Sequence, residues 1–177
     1  LNRARMGEEK FENMLNRARV HLHFCMKLYK MQMDGGRYFL HEHPAHASSW
    51  ADEWVMNIVN DWRVYKVEGN MCQFGMTQND EYGEAYVKKR TGFRTNAECI
   101  AERLARKCQG GHRHVTLINE RARAAEIYPE DLCKEIIRGL KDQMVIDGRL
   151  TNTGIGCVCA LEEGEAELVF YDDVTGE

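Results

Sequence analysis

The feature that most constrains this chain is its first long segment. Over residues 8–33, Phe11, Met14, Leu15, Ala18, Leu22, Cys25, Met26, Tyr29 and Met33 recur at steps of three and four. That period draws one continuous apolar stripe along a helix, and so long a stripe has to be covered by other elements. Gly35-Gly36 follows where a helix needs a residue free to adopt positive φ. The run 37–43 predicts a short strand, ended by Pro44, which has no N–H to give to a ladder. A second helix is expected over 49–62, with Trp50, Trp54, Val55, Ile58, Val59 and Trp62 on one face and Ser49 with Asp52 as a capping pair. Residues 64–67 alternate as a strand does. A third helix is expected over 97–108, boxed by Thr95 and Glu98 and stopped by Gly110-Gly111. A fourth begins near Pro129 and packs through Leu132, Cys133, Ile136, Ile137, Leu140 and Met144. Strand-like runs at 157–161 and 168–171 close the chain. Helices alternating with short strands predict an α/β fold: a mostly parallel sheet with flanking helices, then an acidic irregular tail. The expected division is residues 1–146 as one half-domain and 147–177 as the tail.

At 177 residues and 44% apolar content, the chain suffices for one domain with a real core. No apolar run approaches the roughly 18–20 residues of a membrane span, so no membrane partner is expected. Seven cysteines at irregular spacing, an odd number, argue against a secreted disulfide scaffold and for an intracellular (cytoplasmic or nuclear) setting. Because the first residue is Leu1, the chain is expected to be a piece of a longer product. The net charge of −4 conceals an uneven distribution. Residues 88–123 hold ten Lys/Arg against three acids, whereas 147–177 hold eight acids and a single base, Arg149.

Several motifs carry candidate chemistry. Glu42 closes an expected strand, where open α/β sheets place their ligand crevice, and a carboxyl there suits acid or hydrogen-bond work. His41 and His43 share a strand face, and with His46 they raise a metal hypothesis. Cys108, His112 and His114 raise it again as C-x3-H-x-H after a helix. Neither cluster has the paired spacing of a zinc ribbon or finger, so no metal ligand is assigned, and a zinc-stabilised interaction module on Cys108, His112 and His114 stays as an alternative. Cys25, Cys99 and Cys133 fall on apolar stripes and read as small hydrophobes. Cys72, after a strand, is the cysteine nearest an expected crevice, with no evident base beside it. Gly154 and Gly156 lack the third glycine and following helix of a nucleotide loop.

Taken in order, Glu42-His-Pro44 with Trp50, Cys72-x-Phe-Gly75, Lys88-Lys-Arg-Thr-Gly-Phe-Arg-Thr-Asn96, Cys108 through His114 and Ala124 to Cys133 form a series. It resembles the second half of cytosine-5 DNA methyltransferase-like Rossmann domains, in particular those of phage-type proteins and retrotransposon polyproteins. Tyr171-Asp-Asp-Val-Thr-Gly176 looks like the junction such polyproteins place before a reverse transcriptase. The resemblance implies that Glu42 would hydrogen-bond a flipped cytosine. His43 stands where the family often has asparagine, and the two form the candidate catalytic pair. Arg90 stands in place of the family's proline, and Asn70 where relatives often carry Asp. The resemblance also implies that the nucleophilic cysteine and the glycine-rich loop for S-adenosylmethionine precede Leu1. This chain alone is then expected to hold no cofactor and to be inactive, an active methyltransferase requiring its missing half. Expected partners are DNA or RNA, contacted weakly through Lys88, Lys89, Arg90, Arg94 and Arg113, the rest of the polyprotein, and a second copy paired through an open sheet edge.

Overall fold

The computed structural model describes residues 2–117 and 124–151. The short helix α1 (Asn2–Met6) is separated by Gly7 from α2 (Glu8–Asp34), which follows the expected span closely. Strand β1 (Leu40–Pro44) leads through a 3₁₀ turn (Ser48–Ala51) into α3 (Glu53–Val59). Asp52 caps α3 by accepting from the Trp54 N–H at 3.0 Å. The expected helix over 49–62 is therefore split and shortened, and Trp62 stands 92% exposed rather than on a buried face. Strand β2 (Tyr65–Asn70), the hairpin β3 (Thr77–Asp80) and β4 (Gly83–Tyr86), and strand β5 (Arg90–Thr95) follow. Helices α4 (Glu98–Leu104) and α5 (Glu130–Ile146) complete the described elements. The strands expected at 157–161 and 168–171, and all but the first residues of the acidic tail, lie outside the described residues.

The sheet corrects the expected topology. Its order is β1-β5-β2, and β5 runs antiparallel to both neighbours, with Glu42 opposite Phe93 and Val67 opposite the same residue on the other side. The second sheet, β3-β4, is antiparallel as well. The sheet is thus not mostly parallel and not Rossmann-like. The cause is a single insertion: β1 and β2 do point the same way and are joined through α3, as a βαβ unit requires. The slot between them is filled by β5, a strand disguised by Lys88, Lys89, Arg90 and Gly92. Thr91, Phe93 and Thr95 alternate on one face and are all fully buried, which is the period-2 signal of a central strand.

Strand pleating gives the sheet two faces and two cores. Leu40, Val67 and Phe93 face α4 and α5, where Met71, Phe74, Ile100, Leu104 and Leu132 pack. The opposite face meets α2 and α3 through Met26, Met33, Phe39, Val55, Ile58 and Val59. Each such side chain contributes roughly 1.5–3 kcal/mol when fully buried. Helices α4 and α5 approach closely at Gly139, where a Cβ would lie 2.8 Å from the Ile100 Cα. The Thr95-Asn96 pair ties the layers together. The Thr95 hydroxyl donates to the Phe39 carbonyl at 2.6 Å and accepts from the Ala97 N–H, and Asn96 accepts from the Phe39 N–H and donates to the Arg37 carbonyl. That gives the Thr-Asn motif a structural role. Among the described residues no helix is long and apolar enough to cross a membrane.

Candidate metal centre

Four side chains converge at one end of the β2–β5 edge. Cys72 lies in a 3₁₀ turn (Met71–Phe74) directly after β2, and Gly75, at φ 78°, lets the chain turn back at once. Cys108 follows α4. Its N–H donates to the Asn70 side chain at 2.8 Å, while the Asn70 N–H donates to the Arg106 carbonyl at 2.9 Å, so the segment after α4 is stitched to the end of β2. Gly110 and Gly111, both at positive φ, reverse the chain and deliver His112 and His114. His114 bridges to Tyr86 at the end of β4, and the Val115 N–H donates to the Tyr86 carbonyl at 2.8 Å. The His112 ring packs on Tyr86 with centroids 4.5 Å apart.

The ligand atoms of Cys72, Cys108, His112 and His114 all lie within 4.8 Å of one another. The Cys108 Sγ is 3.6 Å from the His112 Nε2 and 3.5 Å from the His114 Nε2. Zinc bonds of about 2.3 Å to sulfur and 2.0–2.1 Å to nitrogen, at a tetrahedral angle, place S and N about 3.6 Å apart. The two S···N distances therefore already match the edges of a zinc tetrahedron. The electrostatics fit the same role. Burial, then the neighbouring Cys108 thiol, pushes the Cys72 thiol above its ordinary value, and burial, His112 and Lys88 hold the His114 imidazole below its own. A protonated Cys72 thiol and a neutral His114 imidazole are what a cation would meet, and it would deprotonate that thiol on binding.

The structure distributes the sequence-assigned residues elsewhere. Glu42 and His43 are adjacent in β1 and so project to opposite faces. The Glu42 carboxylate accepts from the Tyr128 hydroxyl on the α5 side of the sheet, whereas His43 packs edge-on against Trp50 on the α2 side. Their side chains do not meet, although both residues line one groove between α2 and β1. His41, His43 and His46 form no metal-ligand cluster among the described residues. Most of the basic set is used internally. Arg90 pairs with Glu68 at 2.9 Å, and Lys89 donates to the Ala125 carbonyl over the Tyr128 ring. Arg94 lies half-buried on Trp50, donating to the Phe93 carbonyl, and Arg113 grips Asp80 at 2.6 Å and the Gly83 carbonyl at 2.8 Å. Lys88 is near enough to His114 to depress it. Cys72 is the ligand that spacing alone did not connect. It lies far from Cys108 in sequence, and its one visible signal was its place just after a strand. Comparison with family models, with curated proteins and with solved structures gives no match for this chain.

Proposed function

We propose that this chain is a zinc-stabilised interaction module, with Cys72, Cys108, His112 and His114 holding one structural zinc ion. The observation that carries the reading is the convergence of two thiols and two imidazoles within 4.8 Å, from a turn after β2 and a loop after α4. Four protein ligands leave no open coordination position, which favours a structural over a catalytic ion. The ion's work would be to clamp the loop 108–115 and the β3–β4 hairpin to the body, leaving Tyr82, 78% exposed at the hairpin tip, on the surface with Arg113 beside it. Protein purified without chelator is expected to carry one zinc per chain by elemental analysis, and Cys108→Ser to abolish that stoichiometry. Metal-free protein that folds and retains the hairpin would defeat the proposal.

A further inference from the structure

One face of α2 is left uncovered by the described residues. Leu22, Met26 and Met33 pack inward, whereas Val20, Phe24, Leu28 and Met31 recur at steps of four, four and three on the opposite side. Their exposures are 72%, 56%, 40% and 61%. Lys27 stands 5.3 Å over the ring of Trp54, and Trp54, itself exposed, extends the apolar surface onto α3. A shallow depression lined by Arg17, Val20, His21 and Phe24 marks the middle of the face. The same helical spacing puts exposed Lys10, Arg17 and Lys27 along it, against one acid, Glu9. Apolar residues scattered singly over a surface need no explanation, but an aligned stripe with basic flanks suits an acidic, apolar partner.

Such a segment exists in this chain. Residues 152–177 carry seven acids and no lysine, arginine or histidine. Among them Leu168-Val-Phe-Tyr171 stands between Glu162, Glu163, Glu165 and Glu167 on one side and Asp172 and Asp173 on the other. The described chain leaves α5 beside the C-terminal end of α2. The Tyr38 hydroxyl donates to the Asp147 carboxylate, the Arg149 guanidinium lies 5.0 Å from the centre of the Tyr38 ring, and its Nη2 would be 3.5 Å from a Cβ on Gly36. From Gly36 the helical rise puts Met31, Phe24 and Arg17 about 8, 18 and 29 Å back along α2. The stretch from Thr151 to Leu168 can span up to about 56 Å, so the whole face is within reach. Tethering also gives the segment an effective concentration on the order of millimolar, enough for a weakly attractive surface to be occupied.

We infer that the acidic segment 161–173 docks on the outer face of α2, with Leu168, Val169, Phe170 and Tyr171 against Val20, Phe24, Leu28 and Met31, and the flanking carboxylates beside Arg17 and Lys27. The inference is independent of the zinc reading, since none of the four proposed zinc ligands lies on α2. The test uses the full chain and two readouts: hydrogen exchange by mass spectrometry, and coupling by a carbodiimide, which joins a lysine amine to a carboxylate in contact with it. The amides of 161–173 are expected to exchange about tenfold or more slowly than free chain, and Lys27 to couple to carboxylates of 162–173 within one chain. Phe24→Ser with Leu28→Ser, both at exposed positions, keeps every lysine and should cut protection and coupling about tenfold. Leu168→Ser with Phe170→Ser should do the same with α2 untouched, and raised salt should weaken both readouts in the parent chain. Protected β5 amides verify that each variant is folded. Free-chain exchange of 161–173, protection that survives in either variant, or coupling between two chains rather than within one would each overturn the inference, the last by giving the face to a second copy.

Discussion

The two sheets of this protein are held by different physics. The three-stranded sheet is covered on both faces, by α4 and α5 on one side and α2 and α3 on the other, and its central strand buries Thr91, Phe93 and Thr95 completely. The β3–β4 hairpin has almost no core of its own: of its eight strand residues, Ala85 alone is buried. An isolated two-stranded hairpin is marginal in water. Here it is pinned by polar devices: Arg113 on Asp80, the His114–Tyr86 bridge, and the Cys/His cluster behind it. Where a chain buries so little apolar surface, charge and, in the proposed reading, a metal ion substitute for it, and the two ends should fail in different ways.

The largest effect is expected at the hairpin end. Stripping zinc, or Cys108→Ser, should lower the local stability of residues 77–86 and 108–115 by more than about 5 kcal/mol, given the roughly 10–16 kcal/mol that structural zinc supplies in small zinc fingers. Hydrogen exchange reads this directly, as amides of β3 and β4 lose protection while those of β5 keep theirs. Equal loss everywhere would erase the distinction between the two ends. The converse substitution, Phe93→Ala, should cost about 3–5 kcal/mol in denaturant unfolding while zinc content stays stoichiometric. Loss of metal in that variant would mean that the cluster depends on the helix–sheet core.

How far the sequence foretold this arrangement differs between the ends for the same reason. Helices α2 and α5 were legible because their apolar positions repeat over many turns, and Gly35 and Pro129 mark their limits. Strand β5 was not, because Lys88, Lys89, Arg90 and Gly92 mask a three-residue alternation of Thr91, Phe93 and Thr95. Its insertion between two co-directional strands then turned an expected parallel sheet antiparallel. The proposed metal centre was half legible. Cys108, His112 and His114 lie close in sequence, but Cys72 joins them through the pairing of Asn70 with residues 106 and 108, a tertiary contact that no local spacing encodes. Glu42 and His43 were read as a pair, but adjacency along a strand sends their side chains to opposite faces.

A buried charge sharpens the contrast within the helix–sheet body. Glu135, 6% exposed, accepts from Arg103 at 2.9 Å, Arg106 at 2.9 Å and Arg138 at 2.7 Å, contacts that hold its carboxyl below the usual range, Arg103 foremost. Glu135→Gln leaves three guanidiniums without their shared partner. Because those arginines are partly solvated, the expected cost is about 2 kcal/mol rather than the full penalty of a broken buried pair. Thermal unfolding at low and high salt checks it, since salt should narrow the gap between variant and parent.

The smallest effect separates the α2 side of the sheet from the α5 side. Burial, then His43 and Arg94, lowers His41 from 6.5 to about 4. The unfolded chain therefore binds a proton between those values that the folded chain refuses, and stability from this group is complete above pH 6.5 and falls away as pH drops toward 4. Among the described residues, none of the groups that shift it is a carboxylate. Tyr29 faces the ring from α2, Trp50 from the 3₁₀ turn, and Arg94 from β5. The shift corresponds to about 2 kcal/mol after allowance for residual solvent access. Comparing denaturant stability of the native chain with that of His41→Phe over pH 7 to 4 isolates this contribution from protonation of the proposed zinc ligands, which both proteins share. The native chain should lose about 2 kcal/mol more than the variant across that window, and parallel curves would show that the His41 ring takes up its proton in the folded state without penalty.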